Sequence, residues 1–303
     1  MQTFALENNY LKAIFLDYGA ILHQLWVRTE KGEEINVIQG LDTPEAYLKD
    51  KWSKGALIGR FAGRLTESYT LNSIHYPLTH QEGVLLHSGP TGWGKQFWKC
   101  TAYTKDRLVL NHQCAAGNSG FPGNVNAQIT YRLQERALVL DYYATTDVPT
   151  HINLTNHAYF SLYPEGKIAA HELQISAQQY LELAENLVPT GKLLETLNTT
   201  MDFRQKRMLG SQKLDDYFVL EPRAKSAATL YSPTTHISMK IQTDQPGVVV
   251  FTPPHFEAIC FETQKFSNSP NLSHFPSTRI DPNEPYRQKT RFEFSGIVKA
   301  KKP

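Results

Sequence analysis

The chain lacks the features that mark most functional classes. No apolar run approaches the ~20 residues a membrane-spanning helix needs, so no membrane association is expected. The first residues, MQTFALENNYLKAIF, carry no basic segment followed by an apolar core and a small-residue cleavage site, so no secretory signal is read there. Cysteine is scarce: Cys100, Cys114 and Cys260 are odd in number, widely spaced and without a C-x-x-C pair. That pattern fits free thiols in a reducing compartment and a soluble cytoplasmic protein. An excess of one charge is also missing. A net charge of +2 without a Lys/Arg stripe gives no field for nucleic acid, and the short basic end Lys299 to Lys302 reads as a frayed terminus. Eleven histidines include no H-E-x-x-H and no cluster with cysteine, so no metal is expected. There is no G-x-S-x-G elbow, glycine-rich phosphate loop or fixed-period repeat. No Pro/Gly/Ser-rich linker divides residues 1–303, which are read as a single domain.

What is present has a period of two. Val125, Ala127, Ile129, Tyr131 and Leu133 alternate with polar residues, and Leu138, Leu140 and Tyr142 resume the pattern after a Q-E-R turn, which predicts a hairpin. Ile237, Met239 and Ile241 alternate likewise. Tyr69 to Leu78 around Asn72-Ser73 reads as a second hairpin, and R-F-E-F-S-G-I-V as a closing strand. Helical spacing is confined to short stretches near Thr43 to Leu48 and Ser176 to Leu183. Many short strands separated by turns predict an all-β fold, a large antiparallel β-sandwich.

Three residues stand out chemically. Glu262 lies within the apolar strand-like run P-H-F-E-A-I-C-F-E-T-Q, and a buried carboxylate needs a partner or a use. Alternation places Cys260, Glu262 and Gln264 on one face and Phe261 and Thr263 on the other. His87 sits in L-L-H-S-G-P-T-G-W-G-K, where rigid and small residues present it on a loop facing a cleft. His157 sits in N-L-T-N-H-A-Y-F, a polar island in a strand-like stretch. With ordinary pKa values near ~4.3 and ~6.5, a carboxylate and a histidine make a base and acid pair at neutral pH. On these physical grounds Glu262 can equally be a buried partner of Arg60 or Arg64, and each histidine a structural one.

Several segments, in order, resemble one family. They are Y-G-A-I-L near Tyr18, G-A-L-I-G-R-F-A-G-R-L (55 to 65), L-H-S-G-P-T-G-W-G-K-Q-F-W, G-F-P-G-N (120 to 124), N-L-T-N-H-A-Y-F-S-L, V-P-T-G, L-D-D-Y-F (214 to 218), T-D-Q-P-G (243 to 247) and F-E-T-Q (261 to 264). Together they are similar to the aldose 1-epimerases, also called galactose mutarotases, over nearly the whole chain. The resemblance implies a large antiparallel β-sandwich with no metal and no organic cofactor. It further implies Glu262 as general base, His157 as general acid and His87 as a sugar-binding residue that polarises the substrate. Arg64, Asp215 and Gln245 fall at positions that bind sugar hydroxyls or orient the catalytic groups. The expected partner is a free monosaccharide such as galactose or glucose, handled by a monomer or homodimer.

The chain departs from the family at Gly63 and Ser161, where asparagine is frequent, and at F-T-P-P-H (251 to 255), which stiffens the entry to the Glu262 strand. That segment either reshapes the sugar pocket or is a remodelled surface loop. Other readings on the same scaffold are an epimerase of a phosphorylated or modified sugar, a non-catalytic carbohydrate-binding protein, and a glycosidase using Asp215 as second carboxylate.

Overall fold

The structure, a computed structural model, describes residues 1–222 and 224–299. Of the basic end, Lys299 lies with Nζ 5.8 Å over the Tyr10 ring, and the remainder falls outside the described residues. Among the described residues, three antiparallel sheets carry most of the chain. The largest has nine strands; its centre is the predicted hairpin Val125–Gln134 and Ala137–Thr146, beside the closing strand Tyr286–Ser295 and then Ser238–Thr243. A four-stranded sheet uses the N-terminal segments Thr3–Glu7, Leu11–Leu16, Leu22–Arg28 and Glu34–Asn36. A six-stranded sheet runs Tyr159–Phe160, Ile259–Gln264, Gly247–Phe251, Asp215–Leu220, Ala177–Leu183 and Pro189–Glu195.

One apolar cluster runs through all three sheets. Phe15 stacks on Tyr131 at 4.3 Å between ring centroids, joining the four-stranded sheet to the nine-stranded one. Phe160 meets Phe292 at 5.0 Å and joins the six-stranded sheet to the same layer. The alternation read in the sequence therefore points its apolar side inward from every sheet, which is how antiparallel layers bury one face each.

The hairpin at 69–78 forms as expected, with strands Ser68–Leu71 and Ile74–Pro77. Asn72 and Ser73 both take positive φ, the backbone a tight two-residue turn demands. Thr43 to Leu48 is a short 3₁₀ turn, Pro44–Lys49, started by proline. The second helical expectation is wrong: Ala177–Leu183 is a strand, bonded on both sides within the six-stranded sheet. Its ladders shift register at Ala177/Gln179 and at Leu181/Leu183. Such irregularities leave the buried residues Ala177 and Leu181 four apart, a spacing that imitates a helix.

Arg60 is a buried guanidinium with no carboxylate beside it. Nη1 donates to Pro122 O at 2.7 Å, while Nη2 reaches Gly123 O at 3.0 Å, Ala115 O at 3.3 Å and Cys114 Sγ at 3.0 Å. The side chain thereby ties the 55–65 segment to the G-F-P-G turn, and carbonyl dipoles do the work of a counter-ion. Arg60→Leu strands these acceptors, so unfolding stability should fall by about 3 kcal/mol or more. Urea denaturation reads this as a lower midpoint at unchanged slope. An unmoved midpoint would mean that water replaces the guanidinium without cost.

Candidate active site

The six-stranded sheet has one face in the core and one face that builds the site. Across it, Asp215 opposes Phe251, Tyr217 opposes Val249, Val249 opposes Glu262 and Phe251 opposes Cys260, so all six side chains leave the same side. The apolar members form two separate groups. Leu181, Tyr217, Phe266 and Phe275 make one, and Tyr159, Ala258 and Cys260 with Trp52, Phe251 and Phe256 make the other. Between them lies a polar strip holding Glu262 and Asp215.

Glu262 is 3 % exposed, and its Oε1 sits 3.5 Å from His157 Nε2. Its second oxygen is buried without a hydrogen-bond partner. Glu262 makes no ion pair with Arg60 or Arg64 among the described residues, and Arg60 is engaged elsewhere. Burial pushes the carboxyl up to about 8, helped by the nearby Asp215 charge and opposed by Arg64. His157 is pushed the other way, down to about 4, again chiefly by burial. The ordinary order of a carboxylate base and a histidine acid is thus inverted in the empty site, where the proton rests on Glu262 and His157 is neutral.

The N-L-T-N-H-A-Y-F signature is scaffolding around His157. Asn153 is fully buried; its amide donates to Ala62 O and Lys265 O, both at 3.1 Å, and its oxygen accepts from Lys265 N–H at 2.8 Å. Asn156 donates to Gly55 O at 2.9 Å and accepts from Ala158 N–H at 3.1 Å. At and beyond the second anchor the chain passes from pairing with Leu57–Ile58 to pairing with the Glu262 strand, and His157 sits at the crossing. Tyr159, 5.0 Å from the imidazole centroid, fixes its own hydroxyl on Trp52 O.

His87 takes positive φ (51°) and keeps partial exposure. Gly63 N–H donates to its Nδ1 at 3.1 Å, and His87 N–H donates back to Gly63 O at 3.1 Å. This reciprocal pair holds the ring edge-on to His157, centroids 5.3 Å apart. Burial, then the neighbouring His157 and Arg64, keeps His87 neutral. Arg64 itself pairs with Asp215, Nη2 to Oδ2 3.0 Å, at the partly exposed rim.

The cavity above Glu262 encloses about 380 Å³, its open mouth included, and is lined by Arg64, His87, Asp215 and Glu262 together with walls from Tyr217, Leu187 and others. Five of the six expected site residues are brought together; the fifth, His157, reaches the cavity through Glu262 and His87. Gln245 is not among them. It lies beyond the start of the Gly247–Phe251 strand, its amide given to Asp244 Oδ1 at 2.7 Å. His255 is exposed and packs edge-on against Trp52 at 5.6 Å; only Phe251 of that segment approaches His157, at 6.4 Å. The walls Leu183, Leu187, Pro189 and Ser267 carry no catalytic chemistry in their own sequence, although the V-P-T-G motif marks part of that loop. A larger concavity of about 1970 Å³, its open mouth likewise included, lies away from this chemistry, beside the Leu22–Arg28 and Glu34–Asn36 strands.

His87, His157 and Glu262 are the group among the described residues whose potential ligand atoms all lie within 4.8 Å of one another. Two neutral imidazoles and one carboxyl could in principle hold a divalent ion. Their geometry is equally that of a proton-transfer centre, and no helix among the described residues is long and apolar enough to cross a membrane.

The fold is that of the galactose mutarotase-like β-sandwiches. An aldose epimerase homologue from C. elegans superimposes with a TM-score of 0.93 at 25% identity, covering 98% of this chain and 99% of that one. A galactose 1-epimerase from Lactobacillus acidophilus gives 0.86 at 25% identity, covering 96% and 93%. The chain belongs to the aldose 1-epimerase family, whose sequence model matches residues 2–293, and it is an isomerase. Galactose mutarotase from Mus musculus is 30% identical over 97% of this chain and 94% of its own length. Aldose 1-epimerase from Escherichia coli is 29% identical, over 95% and 94%.

Gly63 illustrates how this chain solves a shared problem differently. A Cβ there would come 1.9 Å from Ser267 Oγ and 2.9 Å from Ser267 Cβ, and the residue has φ +83°. Ser267, bonded to Gln264 Nε2 at 3.1 Å, fills the space a side chain at 63 would need. Gly63→Asn alone should therefore lower both melting temperature and turnover, and Ser267→Gly should restore much of each in the double variant. Additive losses in that double-mutant cycle would show that the two positions do not share the space.

Proposed function

We propose that the protein is a mutarotase that interconverts the α and β anomers of a free aldohexose such as galactose or glucose. The observation that carries this reading is a buried acid and base pair in direct contact, His157 Nε2 and Glu262 Oε1, at the floor of a cavity with a polar rim. Ring opening breaks C1–O5: Glu262 takes the O1 proton and His157 delivers one to O5. Rotation about C1–C2 exposes the other face of the carbonyl, and the reverse transfers close the ring with no net proton consumed. Each positioned group typically contributes ~10² to 10⁴ in rate. Arg64, Asp215 and His87 would hold hydroxyls, since a neutral sugar offers no charge to grip.

Burial sets the protonation state from which the reaction starts. The resting pair is carboxylic acid and neutral imidazole, so the reactive carboxylate and imidazolium form when the shared proton moves from Glu262 to His157 Nε2. A water-poor site makes that first transfer uphill and makes the ring-opening transfers, which restore the neutral pair, downhill by the same amount. A phosphorylated substrate is less well supported, because the basic residue lining the cavity, Arg64, is already neutralised by Asp215.

Polarimetry on freshly dissolved α-glucose and α-galactose tests the reading. The protein should accelerate relaxation, and Glu262→Gln should lose at least ~10²-fold in kcat. Relaxation of every tested aldose at the spontaneous rate would sink the free-sugar reading; full activity in Glu262→Gln would remove Glu262 as base.

The pair must keep one proton between its two members, which fixes the pH dependence. Above about 8 the Glu262 proton is lost, and below about 4 His157 gains a second one. Asp215, Arg64, His87 and Cys260 are the charged or titratable groups facing the pair, and Asp50 acts on His157 from further off. The profile of kcat/KM should be flat through neutrality and fall on both sides of that window, the two limbs belonging to the pair jointly. A rate that climbs steadily past pH 9 contradicts the shared proton.

A further inference from the structure

Cys260 lies two residues before Glu262 on one strand, so both side chains leave the same face of the sheet. Its thiol is fully buried, and its side-chain hydrogen-bond partner is Nδ1 of His157, 3.5 Å away. The other ring nitrogen, Nε2, faces Glu262. Burial and the adjacent Glu262 keep the sulfur protonated, far above its ordinary range. The backbone carbonyl of His157 receives the Gly55 amide at 2.9 Å and, with its second lone pair, also favours a protonated ring.

We infer that Cys260 is a positioning residue whose thiol, bonded to Nδ1, keeps Nε2 as the nitrogen that carries and delivers the catalytic proton. A thiol sulfur is a weak acceptor as well as a weak donor. With the ring neutral, Nδ1–H donates to the sulfur and Nε2 is bare, ready to take a proton. With the ring charged, Nε2 carries the proton it delivers and Nδ1–H still donates to the sulfur. The sulfur contact is the same in both states, and no heavy atom moves. A carboxylate in this place would hold the ring in its charged form and oppose proton delivery. The weaker sulfur bond orients the imidazole without trapping either state, in the way a third group orients an acid or base acting on substrate.

The inference rests on His157 being the acid of the proposed reaction, and its test separates the two claims. Nitrogen-15 NMR of the histidine rings in the full-length protein reads the tautomer directly. In the wild type near neutral pH, His157 should show Nδ1 protonated and Nε2 unprotonated. Cys260→Ala should lose that preference, with kcat about tenfold lower and KM changed by less than about twofold. Cys260→Ser, which restores a hydroxyl acceptor, should recover the tautomer and bring kcat to within about threefold of wild type. A wild-type neutral ring carrying its proton on Nε2 overturns the inference without recourse to any variant. So does a Cys260→Ala protein with unchanged tautomer and kcat, or a Cys260→Ser protein no better than Cys260→Ala, which would leave Cys260 a packing residue. Full activity in His157→Ala would instead remove the acid role, with the ring tautomer in the wild type still a separate observable.

Discussion

Removing the Glu262 carboxyl from water is the constraint on which the rest of the site depends. An ionised carboxylate at 3 % exposure with one unpartnered oxygen is expensive, and the protein answers by holding the proton on it rather than by supplying an arginine. The same desolvation discharges His157 and His87, so three titratable groups coexist within a few ångströms as neutral species. Charge is kept at the rim, where Arg64 and Asp215 cancel each other. A centre of this kind rests neutral and becomes an ion pair only while its shared proton sits on the histidine.

The scaffold keeps the centre dry and rigid by indirect means. Apolar groups flank the polar strip on both sides, and buried asparagines and one buried arginine knit the segments that carry the functional side chains. None of Asn153, Asn156 or Arg60 touches the cavity lining, yet each fixes backbone one or a few residues from His157, Arg64 or Gly63. The motifs that are easiest to recognise in this chain are therefore mostly devices for holding the side chains that meet at the candidate site.

That division explains what could be read in advance. Two-residue periodicity reveals the hairpins, the closing strand and the face shared by Cys260, Glu262 and Gln264, because strand geometry is local. The register shifts in Ala177–Leu183 are set by neighbouring strands, and without them its spacing looks helical. Family motifs bring Glu262, His157, His87, Arg64 and Asp215 to notice, but not the pairing of Arg64 with Asp215. Nor does a motif foretell the inverted pKa order, since burial comes from segments more than a hundred residues apart, such as His157 and Cys260. Gln245 has its motif but lies outside the cavity lining, its amide nitrogen on Asp244 and its buried oxygen without a hydrogen-bond partner. The space Ser267 takes beside Gly63 is likewise invisible until both strands are placed.

The strand Ile259–Gln264 is buried along its whole length, with the core on one side and the site on the other. A slip of one residue against Gly247–Phe251 would turn Glu262 into the apolar interior and bring Phe261 to the cavity floor. The Glu262 carboxyl therefore serves as a proofreading mark for strand pairing: the arrangement that takes it from the cavity is also the one the core cannot tolerate.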